Sequence, residues 1–122
     1  MVPIISVVDD DESVRESLES LIRSAGLAAK VFASAEEFLN SDGLHGTDCL
    51  ILDVRLPGMS GIELHRHLVA NHHKLPVIFI TAHGSDEKTR SRALSDGAVD
   101  YLIKPFAEDA LLNAVQVALS SK

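Results

Sequence analysis

The sequence predicts an α/β domain built on a parallel five-stranded sheet with helices on both faces. Three observations carry this. Five short, mostly apolar runs, the first of them rich in β-branched residues, alternate with five helical stretches. Two of the runs, Cys49-Leu50-Ile51-Leu52 and Val77-Ile78-Phe79-Ile80, are apolar at every position, so both of their faces must be covered. The chain has 122 residues, enough for one domain with a sizeable core and too few for two.

The elements follow in order. Ile4-Ile5-Ser6-Val7-Val8 is the first strand. A helix is expected from Glu12 to Ala25, with Val14, Leu18, Leu21, Ile22 and Ala25 on one face. Gly26 stops it, since glycine accepts the left-handed conformation that ends many helices. Ala28 to Phe32 forms the second strand, and Ser34-Ala35-Glu36-Glu37 is a capping box opening a helix through Leu39. Asn40 to Thr47 is polar and reads as a loop. After the Cys49–Leu52 strand, Ser60-Gly61-Ile62-Glu63 is a second capping box leading a helix to about Asn71. The Val77–Ile80 strand follows Pro76. Ser85 caps a helix from Asp86 to Ser95, which Gly97 ends. Tyr101-Leu102-Ile103 is the fifth strand, broken by Pro105. A last helix runs from Glu108 to Leu119, with Leu111, Ala114, Val115 and Ala118 facing inward.

Composition excludes several functions. Apolar residues make up 46% of the chain, which argues against disorder. Eleven Lys and Arg stand against 18 Asp and Glu, a formal net charge of −7. Such a domain has no electrostatic drive toward nucleic acid or anionic lipid. No apolar run approaches a membrane span, and the N-terminus lacks the basic stretch of a signal peptide. The lone Cys49 cannot form an intramolecular disulfide and suits a reducing, cytoplasmic setting.

In an open parallel sheet, ligands bind beyond the C-terminal ends of the strands. Four of the five ends carry polar groups: Asp9-Asp10-Asp11 after the first, Asp53 after the third, Thr81-Ala82 after the fourth, and Lys104-Pro105 after the fifth. Clustered carboxylates need a cation. Mg²⁺ takes carboxylates, waters and a phosphate as ligands, and a lysine supplies a further point charge for phosphate. Thr81 adds a hydroxyl, and Ala82 a backbone N–H with little side chain in the way. The set describes phosphoryl transfer with an aspartate as covalent acceptor. Asp53 is the best acceptor because it stands alone on the central strand, and the Asp9-Asp10 pair suits metal binding.

These residues resemble the receiver domain of two-component response regulators. The matching pieces are Val8-Asp9-Asp10 with Arg15, Leu52-Asp53-Val54-Arg55-Leu56-Pro57-Gly58-Met59-Ser60-Gly61, Ile80-Thr81-Ala82-His83-Gly84, and Lys104-Pro105-Phe106. The wording around Met59-Ser60-Gly61 and His83-Gly84 is similar to the FixJ-type subgroup of nitrogen-fixation regulators. The resemblance implies a flavodoxin-like (βα)5 three-layer sandwich with strand order 2-1-3-4-5. It implies a phosphoacceptor switch and not a turnover enzyme, with Asp53 phosphorylated from a sensor histidine kinase. Asp10, Asp53 and the backbone carbonyl of Arg55 would ligate Mg²⁺, and Asp9 would hold a metal-bound water. Lys104 and Thr81 would contact the phosphoryl group, Tyr101 would couple to Thr81, and Arg55 and His83 would tune the lifetime of the phosphate. The resemblance, together with the turn that Lys104 must make, implies a cis Lys104–Pro105 bond. It also implies that residues 1–122 are the N-terminal receiver of a longer transcription regulator.

Two rivals are weaker. A phosphohydrolase of the haloacid-dehalogenase type needs a second Asp two residues after the nucleophile, where this chain has Arg55. A pseudo-receiver tends to lose the acidic pair or the lysine, and both are present. Among the remaining polar groups, Asp11 and Glu12 are expected to cap the first helix, and Asp48 and Asp100 to be solvated turn residues. The histidines at 65, 67, 72 and 73 lack the i,i+4 spacing of a zinc site, and His65 is expected to be a hydrogen-bonded, partly buried residue. Tyr101 reads as a half-buried edge aromatic and Cys49 as a small core residue. The helix 86–95 offers only Ala93 and Leu94 as apolar anchors. It is therefore expected to move on phosphorylation, within an output face that includes the fifth strand and last helix and supports a homodimer.

Overall fold

The structure is a computed structural model describing residues 2–82 and 87–120. His83, Gly84, the Ser85 cap and Asp86 lie outside the described residues. Five strands form: β1 (Ile4–Val8), β2 (Ala28–Phe32), β3 (Cys49–Asp53), β4 (Val77–Thr81) and β5 (Asp100–Ile103). Every pairing is parallel, in the order β2-β1-β3-β4-β5. β3 and β4 are buried at every position, as their unbroken apolar character requires.

The helices are α1 (Glu12–Ser24), α2 (Ala35–Asn40), α3 (Gly43–Gly46), α4 (Gly61–Ala70), α5 (Glu87–Ser95) and α6 (Glu108–Ser120). They fall into two layers. Leu18 and Ile22 of α1 join Leu111, Ala114, Val115 and Ala118 of α6 over one face of the sheet. Phe38 of α2, Leu64 and Leu68 of α4, and Ala93 of α5 cover the other. This is the expected three-layer sandwich.

Local chemistry sets the helix ends. Asp11 is the N-cap of α1, accepting the Ser13 N–H at 2.9 Å. At the other end Gly26 has φ +83°, its N–H donates to Arg23 O, and the Leu27 N–H donates to Ile22 O. That pair of bonds with a left-handed glycine is a Schellman motif, and Leu27 and Ile22 both pack in the core beneath it. α4 ends through the same bonds, His72 N–H to Val69 O and His73 N–H to Leu68 O, with His72 at φ 60° in the glycine position.

Several expectations need correction. The polar segment Asn40 to Thr47 is not all loop: it contains the short helix α3, too brief to show a periodic stripe. The Ser34 box forms only its first half, the Glu37 N–H donating to Ser34 Oγ. Asp48 is not a solvated turn residue, because its carboxylate accepts the Ile4 N–H at 2.8 Å and so ties the starts of β1 and β3. Asp100 belongs to β5 and accepts its neighbour's N–H, that of Tyr101. Tyr101 is 6% exposed and not half-buried, because Phe79 packs against its ring at 6.2 Å. His65 is 4% exposed, and its described contact is an edge-on approach to Phe79 at 5.3 Å in place of the expected hydrogen bond.

Burial lowers the pKa of His65, and Arg66 lowers it further, while Asp96 acts in the opposite direction. The unfolded chain therefore holds this proton more tightly than the folded one. Stability must fall as pH drops below the unfolded value of 6.5. His65→Leu is predicted to raise stability more at pH 5.5 than at pH 7.5. Urea unfolding at the two pH values checks this, and equal effects at both would contradict it.

Candidate functional site

The sheet order decides which side chains meet. β1 and β3 are neighbours, so Asp9, one residue past β1, and Asp53, the last of β3, stand side by side. β4 pairs Asp53 with Ile80 and places Thr81 one step further. Lys104 follows β5, and its N–H donates to Thr81 O at 2.7 Å, which fixes the start of the lysine turn to the end of β4. The Lys104–Pro105 peptide is cis, as expected.

Lys104 reaches back over β4. Its Nζ lies 2.9 Å from Asp9 Oδ2 and 3.5 Å from Asp53 Oδ2. Asp9 is fully buried and Asp53 is 6% exposed, whereas Asp10 is exposed. Oxygens of Asp9, Asp10 and Asp53 lie within 4.8 Å of one another. At that separation two carboxylates repel by about 3 kcal/mol at an effective dielectric near 20. One ammonium does not balance three carboxylates.

Backbone donors hold the acids in place. The Asp11 N–H donates to Asp9 Oδ1 at 2.9 Å, and the Arg55 N–H to Asp53 Oδ1 at 3.1 Å. Arg15 Nη1 donates to the Asp9 carbonyl at 2.8 Å, tying the β1 end to α1. Burial raises the Asp53 pKa to about 6. Asp9 pushes in the same direction, while the Arg55 N–H and Lys104 oppose it. Burial also opposes the charge on Lys104, but its bond to Asp9 and the field of both carboxylates outweigh that, and its pKa is raised.

Thr81 is 1% exposed, and Ala82 beside it is exposed. Phe79 pairs with Tyr101 in register, so Thr81, two residues beyond Phe79, shares its side of the sheet with Tyr101. The side chain of Arg55 is exposed. The structure thus brings Asp9, Asp10, Asp53 and Lys104 together and sets Thr81 at the neighbouring strand end. His83 lies outside the described residues.

One supporting residue was legible only as part of a cap. The Ser60 box forms in full, with reciprocal bonds of 3.1 Å between Ser60 and Glu63. Its next residue, Gly61, lies against the acceptor strand: a Cβ there would meet the Asp53 carbonyl oxygen at 2.0 Å. The Gly61 N–H donates to Val54 O at 3.0 Å. Only glycine allows α4 to begin this close to Asp53.

A parallel sheet with buried acids, a lysine and a threonine at its strand ends defines a phosphoacceptor class of α/β domain. Residues 5–116 match the response regulator receiver domain family, and the chain belongs to that family. Accepting a phosphoryl group on an aspartate is the general function of its members. The response regulator protein TmoT of Ectopseudomonas mendocina is 47% identical over 116 residues, covering 95% of this chain and 52% of that protein. The transcriptional regulatory protein FixJ of Azorhizobium caulinodans is 42% identical over 115 residues, covering 94% of this chain and 54% of that protein. The solved structure of the response regulator StyR superposes with a TM-score of 0.91 at 47% identity, covering 99% of this chain and 61% of that one. The chain therefore spans about half the length of the curated relatives it matches.

The raised pKa of Asp53 gives a stability prediction. The folded chain holds this proton more tightly than the unfolded one, whose value is near 3.8. The stabilisation is complete below pH 3.8 and is lost as pH rises through about 6. At pH 7.5 without divalent cations the ionised Asp53 is a cost. Asp53→Asn is predicted to stabilise the metal-free domain there by about 1–3 kcal/mol, with a smaller gain at pH 5. Urea unfolding at both pH values tests this, and a destabilised variant at pH 7.5 would contradict it.

Proposed function

We propose that this chain is a phosphorylation-operated switch in which Asp53 accepts the phosphoryl group from a phosphohistidine of a sensor kinase. The observation that carries this is the convergence of Asp9, Asp10 and Asp53 within 4.8 Å, with Lys104 bridging Asp9 and Asp53. In the transfer a carboxylate oxygen of Asp53 forms the O–P bond while the N–P bond breaks. The leaving imidazole keeps the electron pair and takes up a proton.

The donor set fits Mg²⁺, because it is all oxygen and carries a negative excess that one lysine does not cancel. Asp10, Asp53 and the Arg55 carbonyl would hold the ion, and Asp9 would hold one of its waters. When bound, the cation supplies charge neutralisation for the incoming phosphoryl group. Lys104 orients the acceptor by its contacts to Asp9 and Asp53 and offers its ammonium to the phosphoryl oxygens. Thr81 and the Ala82 N–H supply further donors, and Arg55 and His83 set the lifetime of the adduct and hence of self-dephosphorylation.

The readout begins at Thr81 and Tyr101, which share one side of the sheet with α5. Ala93 is the one buried residue of that helix. So thin an anchor makes α5 the element most easily repositioned. The face of α5, β5 and α6 then serves as the output surface and supports a phosphorylation-dependent homodimer. We read the chain as the N-terminal receiver of a cytoplasmic transcription regulator, with nucleic acid left to another domain; the names of the relatives and the half of their length that the chain covers support its being part of a longer regulator. Among the described residues no helix is long and apolar enough to cross a membrane.

Incubation with acetyl phosphate and Mg²⁺ is predicted to add one phosphoryl group by intact mass. Asp53→Asn should remove the adduct, and Asp10→Asn should weaken Mg²⁺ binding by about tenfold or more. Equal labelling of Asp53→Asn would sink the assignment. Hydrogen exchange with and without beryllofluoride is predicted to change most across α5 and β5. A change confined to α1 would refute the proposed readout.

A further inference from the structure

Glu36 lies in the first turn of α2, exposed and outside the acidic cluster. Its Oε2 nevertheless accepts the Met59 N–H at 2.8 Å, across 23 positions of sequence. Gly58, the residue before, has φ +74°, and a Cβ there would lie 2.5 Å from the same Oε2. The carboxylate thus occupies the space that any other residue at 58 would fill. The Met59 N–H in turn holds the Glu36 carboxyl below its ordinary value, as a donor to the charged form should.

The position of this bond gives it meaning. Residues 54–60 link the phosphoacceptor to α4. At one end the Arg55 N–H is held by Asp53 Oδ1, and at the other Ser60 and Gly61 are fixed by the capping box and by Val54 O. Glu36 is the clamp between these points that comes from a different helix. Complementing the dipole of α2 does not require this reach, since Glu37 stands in the same turn.

We propose that Glu36 is a positioning residue for the phosphoacceptor site: through the Met59 backbone it holds the turn that presents the Arg55 carbonyl to the divalent cation. This rests on the reading of Arg55 as a cation ligand given above. Because water competes for an exposed carboxylate, the effect is graded and not all-or-none.

The test uses the whole chain with Glu36→Ala, Glu36→Gln and Glu37→Ala, each checked for folding by circular dichroism. Mg²⁺ affinity is read by calorimetry, protection of the Met59 amide by hydrogen exchange, and labelling by acetyl phosphate at saturating Mg²⁺. Glu36→Ala is expected to lose Met59 protection and to weaken Mg²⁺ binding by about three- to tenfold, with saturated labelling changed less than about twofold. Glu36→Gln keeps an acceptor oxygen and should recover most of the affinity, while Glu37→Ala should match the unaltered chain. Unchanged Mg²⁺ affinity in Glu36→Ala, or an equal loss in Glu37→Ala, would overturn the role. If the unaltered chain bound no Mg²⁺ at all, the reading of the acidic cluster itself would fall, and this role with it.

Discussion

Two carboxylates, Asp9 and Asp53, end adjacent parallel strands with almost no exposure to water, and that arrangement is unfavourable on its own. Three groups nearby answer it in part. Lys104 crosses from β5 to lie against both acids, and the N–H groups of Asp11 and Arg55 donate to them. Asp53 remains incompletely compensated, with its pKa raised to about 6 mainly by burial. An incompletely satisfied carboxylate is poised to take up positive charge from a cation. Strand order dictates this composition. Had β5 stood at the other edge of the sheet, Lys104 could not reach Asp53. The β2 edge ends in Ala33-Ser34 and adds no charge to the cluster, but it leads into α2, which carries Glu36.

The candidate site and the face proposed for output are joined by ordinary packing. Thr81 is the last residue of β4, and Phe79, two residues back, touches the rings of both Tyr101 and His65. His65 belongs to α4, and Phe79 and Tyr101 share its core layer with Ala93 of α5. A histidine in this layer is a polar group in an apolar place. The opposite layer holds four buried residues on α6 and two on α1, and none of these six is a histidine or a charged residue. On the function proposed above, rearrangement would therefore fall on the α4 and α5 side of the sheet.

Much of this was legible in the residues. Asp9, Asp10, Asp53, Thr81 and Lys104 were readable because apolar runs locate strand ends, and strand ends in a parallel sheet converge. The buried Cys49 and the Asp11 cap followed from local chemistry in the same way. What escaped depends on contacts between distant segments. The bond from Glu36 to Met59 and that from Asp48 to Ile4 leave no local pattern. Tyr101 looked half-exposed because its burial comes from a neighbouring strand. The helix α3 is a single turn, below the length at which periodicity can register. Gly61 was seen as part of a cap, but its close approach to the Asp53 carbonyl needed the packing of α4 onto β3.

Central to the proposed function is an incompletely compensated Asp53 carboxylate that would ligate a cation. A ¹³C NMR titration of the Asp53 carboxyl, in the absence and presence of Mg²⁺, tests it most directly. The account predicts a pKa of about 6 without metal and a marked fall when Mg²⁺ is added. A value in the ordinary carboxylate range that does not respond to Mg²⁺ would contradict it.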